Sequence, residues 1–160
     1  MLLREIYEKD HCAFTEGPLS WRDAVRACCV PLEADGTVDA VYADEIIACV
    51  EKHGPYIVLM PGVAMPHSTE NAKGCNATAI GFMHCDTPVP FDSDEEGKYA
   101  QVFFTLCDTN PDEHFANMRR LYAVLTNEEV VNRLINATSP EELLEIDALV
   151  DEGAFAESQS

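Results

Sequence analysis

The sequence predicts an α/β fold: a single domain in which a mixed β-sheet is flanked by helices. Three observations carry this reading. Two helical stripes come first, in residues 20–53. Apolar, β-branched runs then follow between 56 and 106. Helix-start signals return near 110, 127 and 140. Helices before and after a block of strands place helices on the faces of a sheet.

Ser20 is a good N-cap. After it, Trp21, Ala24, Val25, Cys28, Cys29 and Leu32 fall on one helical face, and Pro31 is expected to end that helix. A second helix follows Gly36, with Tyr42, Ile46, Cys49, Val50 and His53 on one stripe, and Gly54-Pro55 stops it. Residues 56–60, Tyr-Ile-Val-Leu-Met, form a continuous apolar run and read as a buried strand. Pro61-Gly62 turns the chain, and Val63-Ala64-Met65-Pro66 leads to His67. Residues 68–74 are polar and read as loop. Thr78–Met83 reads as a strand, and Thr87–Phe91, with two prolines, as an edge or irregular one. An acidic loop at 92–97 precedes a further strand, Tyr99–Leu106.

Asn110 as N-cap, Pro111 at the first helical position and Glu113 two residues on start the next helix. Its expected apolar stripe is Phe115, Met118, Tyr122 and Leu125, and His114 shares a face with Met118 and Leu121. Thr126-x-x-Glu129 and Ser139-x-x-Glu142 fit the capping box, so helices are expected from about 127 and 140. The domain is expected to span 1–150, with 151–160 an acidic frayed tail.

The 160 residues carry a net charge of −19. Phosphate backbones and anionic lipid surfaces repel such a chain, so nucleic acid and membrane-surface binding are excluded as expected partners. No run is long and apolar enough to span a bilayer, and the N-terminus lacks the pattern of a signal peptide. The seven cysteines include no C-x-x-C pair. Cys28, Cys29, Cys49, Cys85 and Cys107 sit among apolar residues and are expected to be buried and reduced. The glycine patterns of dinucleotide and nucleotide triphosphate sites are absent.

Of the five histidines, His67 has the most suggestive context. It follows a strand and a Pro-Gly turn, Pro66 stiffens its approach, and Ser68 and Thr69 offer hydroxyls and backbone N–H groups to an oxyanion. A neutral imidazole is a nucleophile near neutral pH. His114 lies just past a helix N-terminus, whose partial positive charge suits an anion. His53 and His84 read as a helix-end residue and a surface residue. Two histidines beside a helix N-terminus point to phosphate handling. No H-x-x-x-H or paired carboxylates point to a metal.

The segment GPYIVLMPGVAMPHSTENAKG resembles the active-site region of enzyme IIA proteins of the sugar phosphotransferase system, in the mannitol/fructose superfamily. Its form G-P-Y-I-V-x-x-P-G-x-A-x-P-H is most like the ascorbate-type branch. The stretch VFFTLCDTNPDEHFANMRRLYAVLTNEEVVNRLINATSPEELLEI is similar to the same family, and the likeness runs over about residues 15–147. The resemblance implies a mannitol-type enzyme IIA fold and a cytoplasmic phosphocarrier that needs no cofactor. His67 matches the family's phosphorylated histidine and His114 its second active-site histidine. The implied donor is the phosphohistidine of HPr, and the implied acceptor is a IIB component, through a cysteine. The membrane IIC component would handle the sugar, with ascorbate or a related sugar acid expected from the branch. One departure stands out. Where the mannitol branch has an arginine before the active strand, this chain has Glu51, beside Lys52 and His53; Arg119 and Arg120 are other candidates to neutralise phosphate. With no DNA-binding, IIB or IIC segment in the sequence, the partners are expected as separate polypeptides. The competing readings are a regulatory protein of the same fold, whose phosphorylation state changes its affinity for a partner, and a metal-binding or structural module without phosphotransfer.

Overall fold

A computed structural model describes residues 1–68 and 73–150. The elements run α1 (Leu2–Glu8), β1 (Cys12–Thr15), α2 (Trp21–Ala34), α3 (Val41–His53), β2 (Val58–Met60), β3 (Gly62–Ala64), β4 (Ala79–Pro90), β5 (Tyr99–Cys107), α4 (Pro111–Leu125), α5 (Glu128–Ile135) and α6 (Glu142–Asp147). The sheet order is β1-β4-β5-β3-β2. The β1–β4 and β3–β5 pairs are parallel, and β4–β5 and β2–β3 are antiparallel. The expected mixed sheet flanked by helices is the observed one, and the expected tail at 151–160 lies outside the described residues.

Alternation along the strands divides the core in two. Ala79, Met83 and Cys85 of β4, with Ala100, Phe103 and Cys107 of β5, pack under α2 and α3. Ile80 and Phe82, with Val102, Phe104 and Leu106, face α1, α4, α5 and α6. The strands are therefore apolar on both faces, as a sheet covered by helices on two sides requires.

Several expectations are corrected. Pro31 lies inside α2, which continues to Ala34. Leu32 is fully buried and packs on Gly81 of β4, and that burial carries the helix past the proline. The run 56–60 supplies only the short edge strand β2, in which Leu59 is exposed. The two strands expected at 78–83 and 87–91 are one, β4, bent where the five steps from His84 to Val89 oppose the two steps from Val102 to Ala100. Pro88 falls in this interruption, where no ladder N–H is missed. His84 is inside β4 and buried, not at the surface; its Nε2 donates to the Ile135 carbonyl at 2.6 Å. The apolar stripe of α4 is rotated: Phe115 and Tyr122 are exposed, and Leu121 and Val124 are buried with Met118 and Leu125 packed alongside. Asn127, not Thr126, caps α5, accepting from the Val130 N–H. Glu142 reaches back to the Ser139 N–H at 2.9 Å, the returning half of the expected capping box. Neither α1 nor β1 was expected from the pattern; α1 is tied to α6 through Leu3 N–H and the Asp147 carboxylate, 3.1 Å.

Candidate functional site

The parallel strands β3 and β5 end side by side, and the residues that follow them build the site. Ligand sites of α/β sheets lie beyond the carboxyl ends of parallel strands. Strand-like tethers continue past β3: the Met65 N–H donates to Ile57 O at 2.7 Å, and the Leu106 N–H to Pro66 O at 2.9 Å. Pro66 is buried, so His67 leaves the sheet from a fixed base.

His67 is held at three points. Its Nδ1 lies 2.6 Å from the Met65 carbonyl. A carbonyl only accepts, so Nδ1 carries the proton, and in the neutral ring Nε2 keeps its lone pair. The Tyr56 hydroxyl donates to the His67 carbonyl. The Tyr56 ring stands edge-on to the imidazole, with centroids 5.2 Å apart at 88°. Burial lowers the His67 pKa from its ordinary value; the bond to Met65 opposes this, His114 adds to it and Asp108 opposes it. The ring is therefore a neutral nucleophile at pH 7.

His114 and Asp108 come from the β5–α4 connection. The Asn110 carboxamide accepts from the Glu113 N–H at 2.8 Å, capping α4, and Pro111 opens its first turn. This sets His114 at the start of the helix on the face shared with Met118 and Leu121. His114 Nδ1 lies 2.7 Å from the Asp108 carboxylate, so its proton is on Nδ1 and its ring orientation is fixed. His67 feels the charges of both His114 and Asp108, so the fold brings the three together.

Ser68 is half-buried beside His67. Its Oγ lies 3.7 Å from the Cys49 sulphur, and its N–H bonds the Tyr42 hydroxyl. That hydroxyl donates in turn to Leu106 O at 2.5 Å. Thr69 lies outside the described residues. The residue at the missing arginine's position and one of its candidate replacements are engaged elsewhere. Glu51 accepts from Arg22 at 3.0 Å, on the rim of a cavity lined by Trp21, Phe91 and Asp92, and Arg120 meets Glu5 at 2.5 Å. Asp108, Tyr56 and Tyr42 were missed from sequence. Asp108 had a signal, an acid at a strand end six positions before a histidine, but the tyrosines had none.

An ascorbate-specific phosphotransferase system EIIA component of Shigella boydii serotype 4 (strain Sb227) is 28% identical over 128 residues, covering 79% of this chain and 82% of the relative. The crystal structure of a chain provisionally identified as a phosphotransferase system IIA domain, from Streptococcus pyogenes M1 GAS, matches with TM-score 0.79 and 34% identity. That match covers 91% of this chain and 93% of the other. The complex of the mannitol enzyme IIA with phosphorylated mannitol enzyme IIB of Escherichia coli matches with TM-score 0.73 and 26% identity, over 87% and 94%. Among the described residues no helix is long and apolar enough to cross a membrane. The family model described as "Phosphoenolpyruvate-dependent sugar phosphotransferase system, EIIA 2" matches residues 5–147. The chain belongs to that family, and is a phosphocarrier among its phosphotransferases.

Proposed function

We propose that His67 Nε2 accepts a phosphoryl group from the phosphohistidine of HPr and passes it to a cysteine of a separate IIB component, in the cytoplasm. The observation that carries this is the bond from His67 Nδ1 to Met65 O, which leaves Nε2 as the nucleophile. The Nε2–P bond forms as the donor's N–P bond breaks. The positive charge that develops on the ring is shared with the Met65 carbonyl through Nδ1–H. The same charge makes the ring a good leaving group for the second transfer. Phosphoryl transfer asks for alignment and charge stabilisation more than for covalent machinery. His114, when protonated, donates from Nε2 to a phosphoryl oxygen, with the Asp108 carboxylate offsetting its charge and holding its plane. Ser68, beside His67, offers its hydroxyl to the phosphoryl group, and Thr69 keeps the phosphate-binding role expected of it from the sequence. No metal or cofactor is needed, since the group travels covalently on His67.

The substrate system proposed is that of ascorbate or a related sugar acid, a reading supported by the ascorbate-specific relative. The IIB partner is supported by the complex of the mannitol proteins. The test is intact mass after incubation with phosphoenolpyruvate, enzyme I and HPr. One acid-labile phosphate on the wild type and none on His67→Ala is the expected result. Equal phosphorylation of the two would overturn the acceptor assignment.

A further inference from the structure

We infer that a small cavity between α1, β4 and α4 is a binding site for a small oxyanion, inorganic phosphate being the ion its chemistry fits. The cavity measures about 70 Å³, and its walls include Glu5, Lys9, His11, Ile80, Asn117 and Arg120. That is room for roughly five waters, or for one tetrahedral ion. It lies at the start of β4, across β5 from the strand that leads to His67. The chain has ten Lys and Arg side chains against 29 Asp and Glu, yet two of the ten meet here. Glu5 holds both: its carboxylate lies 3.0 Å from Lys9 Nζ and 2.5 Å from the Arg120 guanidinium. One carboxylate between two cations leaves the wall with one positive charge in excess. The buried His11 ring is fixed beside them by the Asp35 carboxylate, 2.7 Å from its Nε2.

Two neutral donors stand ready beside these cations. The first is the Ile80 N–H. β1 pairs with β4 only from Cys12 and Phe82 onward, and the Phe82 N–H donates to His11 O at 2.9 Å. Ile80, two residues earlier, turns its backbone to the same side. Its partner across the ladder, Leu106, turns the other way, giving its N–H to Pro66 O and its carbonyl to the Tyr42 hydroxyl. The Ile80 N–H therefore points past the end of β1, on the side of the cavity, and no acceptor among the described residues meets it. Ile80 is buried, and buried N–H groups without a partner are rare in native proteins. The second donor is the half-buried Asn117 carboxamide, one turn before Arg120, which no described residue bonds. Acceptors are present too. The His11 N–H turns away to Ile6 O at 2.9 Å, which leaves the Ile80 carbonyl open beside its N–H. At neutral pH inorganic phosphate still carries a proton, and that carbonyl and Glu5 can accept it. The N–H, the carboxamide and the two cations meet its other oxygens.

The test titrates the whole nitrogen-15-labelled chain with sodium phosphate, with sodium chloride holding the ionic strength constant, and follows the amide signals. The expected result is a saturable shift of the Ile80 amide and the Asn117 carboxamide with one common midpoint. Asn117→Asp keeps the shape and removes no bond, but sets a carboxylate where the ion binds, so it should weaken binding at least ~10-fold. Glycerol 2-phosphate tests the source of the group: the cavity has room for the ion and not for the ester, so the Ile80 signal should stay in place. An unmoved Ile80 signal in phosphate, or a drift that is linear and common to all amides, would mean a cavity that holds water alone and would overturn the proposal. Shifts confined to the His67 and His114 rings would place the ion between the histidines and overturn it as well. Unchanged affinity in Asn117→Asp would do the same, and an equal response to glycerol 2-phosphate would overturn the assignment to the free ion. The wild-type titration decides the matter even where the variant fails to fold.

Discussion

The hydrogen bond from His67 Nδ1 to Met65 O decides which nitrogen can react, and burial decides that the ring is neutral. The pKa of His67 in the folded chain lies below its value in the unfolded chain, roughly 6.5. Between the two values the unfolded chain binds more protons, so stability rises with pH there. The contribution is fully present above the unfolded pKa and is lost as pH falls through the folded one. Thermal unfolding of the wild type should therefore lose more stability than His67→Gln between about pH 7.5 and about pH 5.5. Parallel curves would mean the ring gains no selection for its neutral form on folding. Asp108 acts through His114. Asp108→Asn removes the carboxylate charge and lets an amide NH2 group face the ring, so the tautomer is no longer fixed; phosphate should still be taken up by His67 but passed on at least ~10-fold more slowly in single-turnover transfer. His67 and His114 were legible in the sequence because proline, a turn and a helix cap mark them locally. Tyr56 and Tyr42 were not, because a hydroxyl that reaches the His67 carbonyl or the Ser68 N–H leaves no trace in the order of residues.

At the scale of elements, α4 shows what pattern reading resolves and what it does not. Its start was legible, since Asn110, Pro111 and Glu113 act on their own turn. Asn110→Ala should cost about 1 kcal/mol in denaturant unfolding, the usual penalty for a lost N-cap. It should also slow transfer by loosening the turn that carries His114. The buried face was not legible. Phe115, Met118, Tyr122 and Leu125 make as regular a stripe as His114, Met118, Leu121 and Leu125, and only the sheet beneath chooses between them. Phe115→Ser and Tyr122→Ser should each change stability by no more than ~0.5 kcal/mol. Leu121→Ala should cost about 2–5 kcal/mol, because Leu121 is fully buried. The reverse order in chemical denaturation would restore the stripe expected from periodicity. The same limit hid α1 and β1. Leu2, Leu3 and Ile6 are too few for a period to show, and it is docking on α6 that makes them a helix.

Across the whole molecule the sheet separates two apolar cores, and the site sits where both helix layers overhang one end of it. The α2–α3 layer sends Tyr42, and the connection after α3 sends Tyr56; α4, on the opposite layer, sends His114. That arrangement leaves the imidazoles open to a partner from beyond the strand ends, and the approaching partner meets a chain of net charge −19. A donor with a basic docking surface is drawn in by that field at long range, while the transfer itself takes place between neutral His67 and a phosphoryl group at contact. Salt should therefore act on encounter and not on chemistry. Raising ionic strength from about 0.05 M to about 0.5 M shortens the screening length from roughly 14 Å to roughly 4 Å. The second-order rate of phosphoryl transfer from phospho-HPr should fall severalfold over that range, while the first-order rate within the saturated complex stays constant. Stopped-flow transfer at several concentrations of phospho-HPr separates the two rates. A constant second-order rate would mean that the acidic charge serves solubility alone and that contacts around the histidines carry the docking.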